Sequence, residues 1–375
     1  MSMQKHLHII CPEIPLPINS GPVIDVFFKI RSLQKAGVLI HLHCFDSASR
    51  HQDELSRYAN EVSYYAKREG HKGFSFGLPY IVGSRVNTDL AERLLLDDYP
   101  ILMEGIQTSF LAHDERFRNR KIFIREQRLQ YNSYSKRYTN SWNPLRQLYN
   151  SHESKILKAY EARTFRTIPV CCVSDKDRFQ IQQQLHARQV IKVPLFLPFQ
   201  QVCSHEGIGS YCLYHGNLSD AANEKAAFYL LNQVFNDLPV PFVVAGKNPS
   251  RRLLKAAKRS KFHCLVENPT EAELQDMIEK AQVNILPSFD CNGIKLKLLN
   301  ALFNGRHCVV NDATVEGTGL EPATHIASSA KAFKSIIAQL YHQPFAGEEI
   351  VLRKQLLEKE YNNELNAKRL IQWIW

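Results

Sequence analysis

Short apolar segments with strand-like composition alternate with helix-like segments along almost the entire chain. The pattern begins with a strand at 6–11, continues through a proline-rich loop to Gly21, and reaches a helix from about 22 to 36. Strands that alternate with helices form parallel sheets that are covered by helices on both faces. The alternation therefore predicts an α/β protein.

The alternation occurs twice, which predicts two Rossmann-like halves. A length of 375 residues also fits two domains at roughly 150 residues each. Further strands are predicted at 38–45, 62–65, 101–104, 121–125 and 170–173 in the first half, and at 211–214, 240–245, 262–266, 283–286 and 307–311 in the second.

The domain boundary is predicted at 194–198, where two prolines enclose an apolar run that is typical of an extended connector. We therefore place the two domains at 1–196 and 197–357. The remaining segment, 358–375, carries a broad apolar stripe that ends in two tryptophans. A stripe of this kind must be buried, so we expect a C-terminal helix that crosses back to the first domain.

The chain shows no signal for export or for crossing a membrane. Its start lacks the apolar segment and cleavage site of a secretory signal, and no apolar run approaches the roughly 18 to 20 residues that span a bilayer. We therefore expect a cytoplasmic protein. Most cysteines are expected to be buried thiols of a reducing compartment because they lie in or beside apolar runs. These cysteines are Cys11, Cys44, Cys171, Cys172, Cys212, Cys264 and Cys308.

His41 and His43 lie beside Cys44 and could bind a metal ion. The alternation of side chains between the two faces of a strand explains the spacing of these histidines better than a metal site does. The chain also has no Cys-x-x-Cys pair. We therefore expect no metal and no cofactor.

Lys plus Arg exceeds Asp plus Glu by ten, and the excess is concentrated between 116 and 166, where aromatic residues are interspersed. The basic members are Arg118, Arg120, Lys121, Arg125, Arg128, Lys136 and Arg137, and the aromatic members are Tyr131, Tyr134, Tyr138 and Trp142. An anionic membrane surface, a phosphorylated substrate or nucleic acid could bind there, and nucleic acid is the least favoured. A solvated basic face is the alternative.

The most informative segment is 287–311, which contains a loop, a helix and a strand. Gly293 lets the backbone approach a ligand closely, and the helix that follows offers free N–H groups to an anion at its start. Lys295 and Lys297 add positive charge. Ligands of open α/β sheets bind at the carboxyl ends of the strands, so this segment predicts a diphosphate site.

This segment also carries a resemblance. Pro287-Ser288, the run from Gly293 to Asn300, and Gly305-Arg306-His307 resemble the signature of GT-B glycosyltransferases of the family-4 type. Within that group they are most similar to bacterial mannosyltransferase-like enzymes, typical of Bacteroidetes. Segments 10–27, 41–45, 214–218 and 245–250 resemble the same group, so the likeness covers nearly the whole chain.

The resemblance implies a GT-B fold, with two Rossmann-like domains facing across a cleft. It also implies transfer of a hexose, mannose in the enzymes that name the group, from a nucleotide-diphosphate sugar. The acceptor would be a glycan or a lipid-linked molecule in surface polysaccharide biosynthesis at the inner membrane face.

The resemblance further implies which residues hold the donor. Family-4 enzymes carry two donor-binding glutamates eight positions apart, and these positions are Asn292 and Asn300 here. The group also places an arginine near Asn217, and we expect Lys247 to replace it; an exposed turn lysine is the alternative. The other donor-side positions are Gly216, Gly293, Ile294, Lys295 and Leu296.

On the acceptor side, relatives carry histidine where this chain has Gln107 and Gln127. Glutamine can donate hydrogen bonds but cannot carry protons near neutral pH. The change implies altered donor choice, reduced turnover or no catalysis. Glu13 and Glu104 are the carboxylates expected near the acceptor. Gly21 is expected to be needed there for its backbone conformation.

We expect a retaining transfer, in which the leaving diphosphate takes the acceptor proton and the protein stabilises the departing charge. The candidate catalytic residues are Lys247, Lys297 and Glu104. A GT-B-like binding or partner protein with little activity is the alternative, because four charged or titratable positions have become amides. A nucleotide-sugar 2-epimerase is disfavoured by the same amides.

Overall fold

The computed structural model describes residues 4–18, 20–46, 53–74, 77–140, 143–289 and 293–375, without the side chains of 136–140. The chain divides into two compact units. The first contains 1–198 and 361–375, and the second contains 199–360. Each unit is built on one parallel sheet with helices, which confirms the α/β prediction.

The sheet of the first unit has the strand order β3-β2-β1-β4-β5-β6-β7, and all its neighbouring strands are parallel. The strands are β1 (Lys5–Cys11), β2 (Val38–Asp46), β3 (Glu61–Ala66), β4 (Ile101–Glu104), β5 (Ile122–Glu126), β6 (Val170–Cys172) and β7 (Val190–Lys192). The helices are α1 (Gly21–Lys35), α2 (Tyr80–Gly83), α3 (Thr88–Leu94), α4 (Gln130–Asn140), α5 (Pro144–Thr167) and α6 (Asp175–Gln184).

The sheet of the second unit has the strand order β10-β9-β8-β11-β12-β13, again with parallel neighbours. The strands are β8 (Cys212–Asn217), β9 (Phe242–Lys247), β10 (His263–Glu267), β11 (Val283–Ile285), β12 (His307–Val310) and β13 (His325–Ile326). The helices are α7 (Ala221–Tyr229), α8 (Arg251–Ala257), α9 (Glu271–Lys280), α10 (Leu296–Asn304), α11 (Asp312–Val315), α12 (Ala330–Leu340) and α13 (Gly347–Leu357).

The C-terminal helix α14 (Asn363–Ile374) belongs to the first unit. It packs beside α1, and its buried face joins the same apolar cluster as β1 and β2. The members that it contributes are Ala367, Leu370 and Ile374. Asn362 caps its start by accepting a hydrogen bond from the Leu365 amide at 2.9 Å. The middle of the stripe is therefore buried against the first sheet, whereas Leu365 and Trp375 are exposed.

Some local predictions are wrong. The first strand of the second half was expected to end at 214, but β8 continues through Gly216 and Asn217 because a glycine on each strand lets β8 and β9 pair to their ends. Cys264 was expected to be buried, but it is exposed on β10, which forms an edge of its sheet. The strands β7 and β13 were not predicted, because both are short edge strands in which a polar residue, Lys192 or His325, interrupts the apolar run.

The basic aromatic segment between 116 and 166 is only partly exposed to solvent. Arg125, Tyr131 and Tyr134 are buried, because Arg125 lies on a strand and the tyrosines join the apolar cluster of the first unit. Arg118, Lys121 and Arg128 are exposed. The side chains of Lys136, Arg137 and Tyr138, and all of Trp142, lie outside the described residues.

Membrane-spanning helices were sought in the described part of the chain. None of its helices combines the length and the apolar character that crossing a bilayer requires.

Candidate functional site

Two glycines bring the ends of β8 and β9 together in the second unit. The strands pair Gly216 with Gly246 and Asn217 with Lys247. A Cβ atom on Gly246 would lie 1.9 Å from the Gly216 carbonyl oxygen, a distance that no real structure tolerates. The predicted donor-side residues Gly216, Asn217 and Lys247 therefore lie side by side at the carboxyl ends of these strands, and Asn217 and Lys247 are exposed.

Asn223 on α7 connects these strand ends to α10. Its Nδ2 donates to the Asn217 carbonyl oxygen at 3.0 Å, and its Oδ1 accepts from Lys297 Nζ at 3.1 Å. The Tyr214 hydroxyl donates to the Asn223 carbonyl oxygen at 3.0 Å. Sequence reasoning missed both Asn223 and Tyr214, since nothing in the sequence of a helix start indicates which distant lysine it will contact.

Lys297 lies partly buried between these residues. Its ammonium is 4.8 Å from the centre of the Tyr214 ring and 3.5 Å from the Tyr214 hydroxyl. Burial, reinforced by the nearby charge of Lys295, lowers the pKa of Lys297 to about 8. His215 is buried next to it, and burial followed by the Lys297 charge lowers the pKa of this histidine to about 3. The site thus combines a cation of reduced pKa with a neutral imidazole, which suits an anionic ligand.

The start of α10 adds backbone donors. Gly293 has φ +68°, a conformation that favours glycine, and Lys295 occupies the N-cap position without a side-chain capping bond. The first turn of α10 contains no acidic residue. The start of a helix carries the positive end of the helix dipole, and its first N–H groups have no partner within the helix. Among the described residues, 293–296 thus combine a positive-φ glycine with a helix start that lacks acidic side chains, a geometry suited to an anion.

Two predicted donor-side positions stand apart from this arrangement. Asn300 is partly buried on α10, and its Oδ1 accepts a hydrogen bond from Asn304 Nδ2 at 2.8 Å. Asn292 lies outside the described residues. Ile294 and Leu296 are partly buried within the turn and at the first helical position.

The first unit contains a pocket of about 160 Å³ at the carboxyl ends of its central strands. Four predicted acceptor-side residues line it, namely Glu13, Glu104, Gln107 and Gln127. Gly21 is not among the lining residues, but it begins α1, whose next two residues line the pocket. The structure thus brings these residues together from three different loops.

A buried network of charges supports the pocket. Asp25 accepts from Arg125 Nη2 at 3.1 Å, from Arg125 Nε at 3.3 Å and from Gln127 Nε2 at 2.9 Å. Lys29 Nζ donates to Glu104 Oε2 at 2.7 Å. Burial acts to raise the pKa of Asp25, but the Arg125 and Lys29 charges outweigh it and hold that pKa below its ordinary value. Sequence reasoning missed Asp25 and Lys29 and placed Arg125 on the surface.

Glu104 is the lining residue whose chemistry is most distinctive. Burial raises its pKa despite the Lys29 ammonium. Its second carboxyl oxygen, Oε1, is buried and has no hydrogen-bond partner within the described parts of the chain, and the same holds for Gln107 Oε1. Unsatisfied buried oxygens are costly unless a ligand supplies donors. Glu104 and Gln107 therefore contribute two unsatisfied acceptor oxygens to the wall of the pocket.

Glu126 also lines this pocket. Its Oε2 accepts from the Ile106 amide at 2.8 Å, and burial raises its pKa to about 8. Burial, and next the charge of Glu126, raises the pKa of Glu161 well above its ordinary value. Two buried carboxyl groups therefore share this region, and both favour the protonated form.

Much of the second unit matches a known protein family. Residues 209–343 match the family described as Glycosyl transferases group 1, and this range contains all the donor-side positions discussed above. No curated protein matches the chain.

Solved structures resemble the chain over nearly its full length. Sucrose-phosphate synthase from Thermosynechococcus elongatus has a TM-score of 0.72, with 13% identity and 98% of each chain covered. A mutant of S. aureus TarM in complex with Fondaparinux, alpha-GlcNAc-glycerol and UDP has a TM-score of 0.67, with 9% identity and 99% of each chain covered. Phytolacca americana UGT2, complexed with UDP-2fluoro-glucose and pterostilbene, has a TM-score of 0.61, with 10% identity and 98% of each chain covered.

At identities this low, the structural similarity establishes the fold alone, and that fold is GT-B. The family match assigns a group 1 glycosyl transferase domain to the second unit, which contains the turn 293–296. A domain of this family in a chain with the GT-B fold indicates that the protein is a glycosyltransferase.

Proposed function

We propose that the chain transfers a hexose from a nucleoside-diphosphate sugar to a glycan or lipid-linked acceptor in surface polysaccharide biosynthesis, with retention of anomeric configuration. The observation that carries the proposal is the position of Lys297. Asn223 holds its ammonium beside the paired ends of β8 and β9, close to the uncapped start of α10 in sequence. A diphosphate carries the charge and the acceptor oxygens that such an arrangement binds.

In this proposal the diphosphate lies against the backbone of 293–296. Lys297 and Lys247 neutralise its charge, and the N–H groups at the start of α10 stabilise the charge that develops as the sugar departs. Amides at Asn292 and Asn300 bind donor hydroxyl groups where family-4 enzymes use carboxylates. Two of the similar structures are complexes with UDP or a UDP sugar, which favours a uridine nucleotide as the first donor to test.

The pocket of the first unit is proposed to bind the acceptor. The unpaired Glu104 Oε1 and Gln107 Oε1 can accept hydrogen bonds from acceptor hydroxyl groups, and the exposed Glu13 lies at the rim. With retention, the leaving diphosphate takes the acceptor proton, so no strong protein base is required. A lipid-linked acceptor would bring the exposed basic residues Lys121 and Arg128 to an anionic membrane surface.

The first experiment measures thermal stabilisation by UDP, GDP, dTDP and ADP, followed by their sugars. The matched variants are Lys297→Met and Lys331→Met, which remove one lysine from α10 or from the exposed face of α12. A charged hydrogen bond contributes about 1.5 to 3 kcal/mol, so Lys297→Met should weaken nucleotide binding by about 10-fold or more. Lys331→Met should bind like the wild type. Equal affinities for all three proteins would contradict the proposed site.

A binding or partner protein with little turnover is the second candidate. It is favoured by the hydrogen bonds that Asn300 makes to Asn304 and Gln127 makes to Asp25, because these amides are engaged within the protein. Donor affinity and donor hydrolysis should therefore be measured separately. Tight nucleotide binding without hydrolysis, and without transfer to any glycan or lipid-linked acceptor, would select this candidate over the transferase.

A further inference from the structure

Three side chains with metal-binding atoms meet in the second unit, away from the residues discussed so far. His307 begins β12, His325 begins β13, and Glu349 lies in the first turn of α13. His307 Nδ1 is 3.6 Å from Glu349 Oε2, and His325 Nε2 is 4.0 Å from the same oxygen. The three ligand atoms all lie within 4.8 Å of one another.

The hydrogen bonding of His307 leaves one of its nitrogens available. Its Nε2 lies 3.0 Å from the Gln343 carbonyl oxygen. A carbonyl oxygen only accepts, so Nε2 carries the hydrogen, and Nδ1 of the neutral ring has a free lone pair. The residue is fully buried, and Nδ1 has no hydrogen-bond partner in the part of the chain that the structure describes. A buried lone pair that faces a carboxylate requires a cation or a proton between them.

We propose that His307 Nδ1, His325 Nε2 and Glu349 Oε2 bind a Zn²⁺ ion, with a water molecule as the fourth ligand. Two imidazoles and one carboxylate are a donor set that zinc favours. With bonds of about 2.0 to 2.1 Å, tetrahedral ligand atoms lie about 3.3 to 3.4 Å apart. The two separations to Glu349 Oε2, 3.6 and 4.0 Å, are longer than this value, and the three ligand atoms lie within 4.8 Å of one another, so side-chain rotations must draw the ligands inward to complete the site. The Gln343 carbonyl orients His307 in the way that outer partners commonly orient zinc-binding histidines.

The surroundings allow an ion to enter. The side chains of His325 and Glu349 are 37% and 31% exposed, which leaves a path for the ion and space for water.

The positive charge of Arg353 opposes the binding of a cation at this cluster. Its buried guanidinium donates to the carbonyl oxygens of Leu302 and Gly305 and to Ser204 Oγ, and it lies 4.5 Å from the centre of the Phe345 ring. These contacts hold it in place independently of the cluster. The Glu349 carboxylate supplies the negative charge that the ion needs, so this residue is the most sensitive position to test.

The zinc site would be separate from the proposed donor site. The donor-side residues lie at the carboxyl ends of β8 and β9, whereas His307 lies at the amino end of the parallel strand β12. A bound ion would connect the two-residue edge strand β13 and the helix α13 to β12. Such a link would stabilise this edge of the sheet, and it goes beyond the proposed transferase activity.

The test uses the full chain, treated with a chelator and then titrated with Zn²⁺ in buffer free of phosphate. Calorimetry should give one strong site per chain. Zinc at about 100 times its dissociation constant should raise the melting temperature by on the order of 5 °C. Co²⁺ should give the intense visible absorption of a four-coordinate ion. Absence of a strong zinc site, or a weak six-coordinate cobalt spectrum, would overturn the proposal.

Matched variants locate the site. Changing a second-shell partner commonly costs 10- to 100-fold in affinity, so loss of a ligand in Glu349→Gln or His325→Gln should cost more than about 10-fold. The controls Glu348→Gln and His342→Gln alter exposed neighbours and should bind like the wild type. Equal zinc affinity in ligand and control variants would also refute the assignment. The cobalt spectrum is recorded on the wild-type protein, so it tests the proposal even if a variant misfolds.

Discussion

Replacing Asp25 should destabilise the first unit strongly. Asp25 is 1% exposed and is the carboxylate that the buried Arg125 contacts, at 3.1 and 3.3 Å. It also accepts from the Phe196 amide at 2.8 Å. Breaking a buried ion pair by removing one partner costs about 3 to 5 kcal/mol, because the remaining charge is left uncompensated. Asp25→Ala should therefore remove a large part of the roughly 5 to 15 kcal/mol that stabilises a typical domain.

Tryptophan fluorescence can follow this loss in the first unit alone. The three tryptophans, at 142, 373 and 375, all fall within the residues of that unit. With a urea m-value of about 3 kcal/mol/M, a loss of about 4 kcal/mol lowers the unfolding midpoint by about 1 M or more. Asp25→Asn keeps an acceptor oxygen and should lose less than Asp25→Ala.

The matched control is Asp175→Ala, which removes an exposed partner of Lys192 and Arg178 in the same unit. Exposed ion pairs contribute about 0 to 1 kcal/mol, so this variant should change the midpoint little. If Asp25→Ala and Asp175→Ala shifted the midpoint equally, Arg125 would not depend on Asp25, and the reasoning from the buried pair would be refuted.

Three further predictions concern pH. Nucleotide affinity should fall as pH rises through about 8, because Lys297 loses its proton there in the free protein, whereas a bound diphosphate favours the ammonium; calorimetry of UDP binding from pH 6.5 to 9 tests this, and a flat profile would contradict it. His8 and His43 have pKa values lowered to about 4 and about 3. The unfolded chain binds their protons first, so stability should fall below pH 6.5, by about 2 kcal/mol per histidine at pH 5; urea midpoints at pH 7.5 and 5 measure it. Burial raises the pKa of Glu126 to about 8, so its carboxylate opposes folding increasingly above pH 4.5. Glu126→Gln should therefore stabilise the first unit more at pH 8 than at pH 5, and a pH-independent effect would count against this assignment.

The helices and strands were predictable where local pattern and packing agree. The segment from Gly293 to Val310 shows this, since its glycine, its apolar helix and its apolar strand appear in the structure in that order. The capping box of α9 is an equally local feature, and both of its hydrogen bonds are formed between Thr270 and Glu273. The fold class followed from this repeated local agreement, and it is confirmed.

The partners of individual side chains were not predictable. Arg125 looked like one member of a basic surface, but its place on the central strand β5 directs it to Asp25, a hundred residues earlier in the chain. Lys297 was proposed from its place after the glycine loop, whereas Asn223, which holds it, was missed. His307, His325 and Glu349 are far apart in sequence, and no spacing rule associates them, so the sequence alone led us to expect no metal.

The sequence by itself determined the order of strands and helices, because apolar periodicity, glycines, prolines and helix caps act over a few residues. It also predicted the helix start after Gly293, because a helix start after glycine is a local feature. Only the tertiary structure decided which charges are buried, which oxygens and nitrogens lack partners, and which groups have shifted pKa values. These properties depend on desolvation and on contacts between residues that the chain brings together only after its sheets have formed.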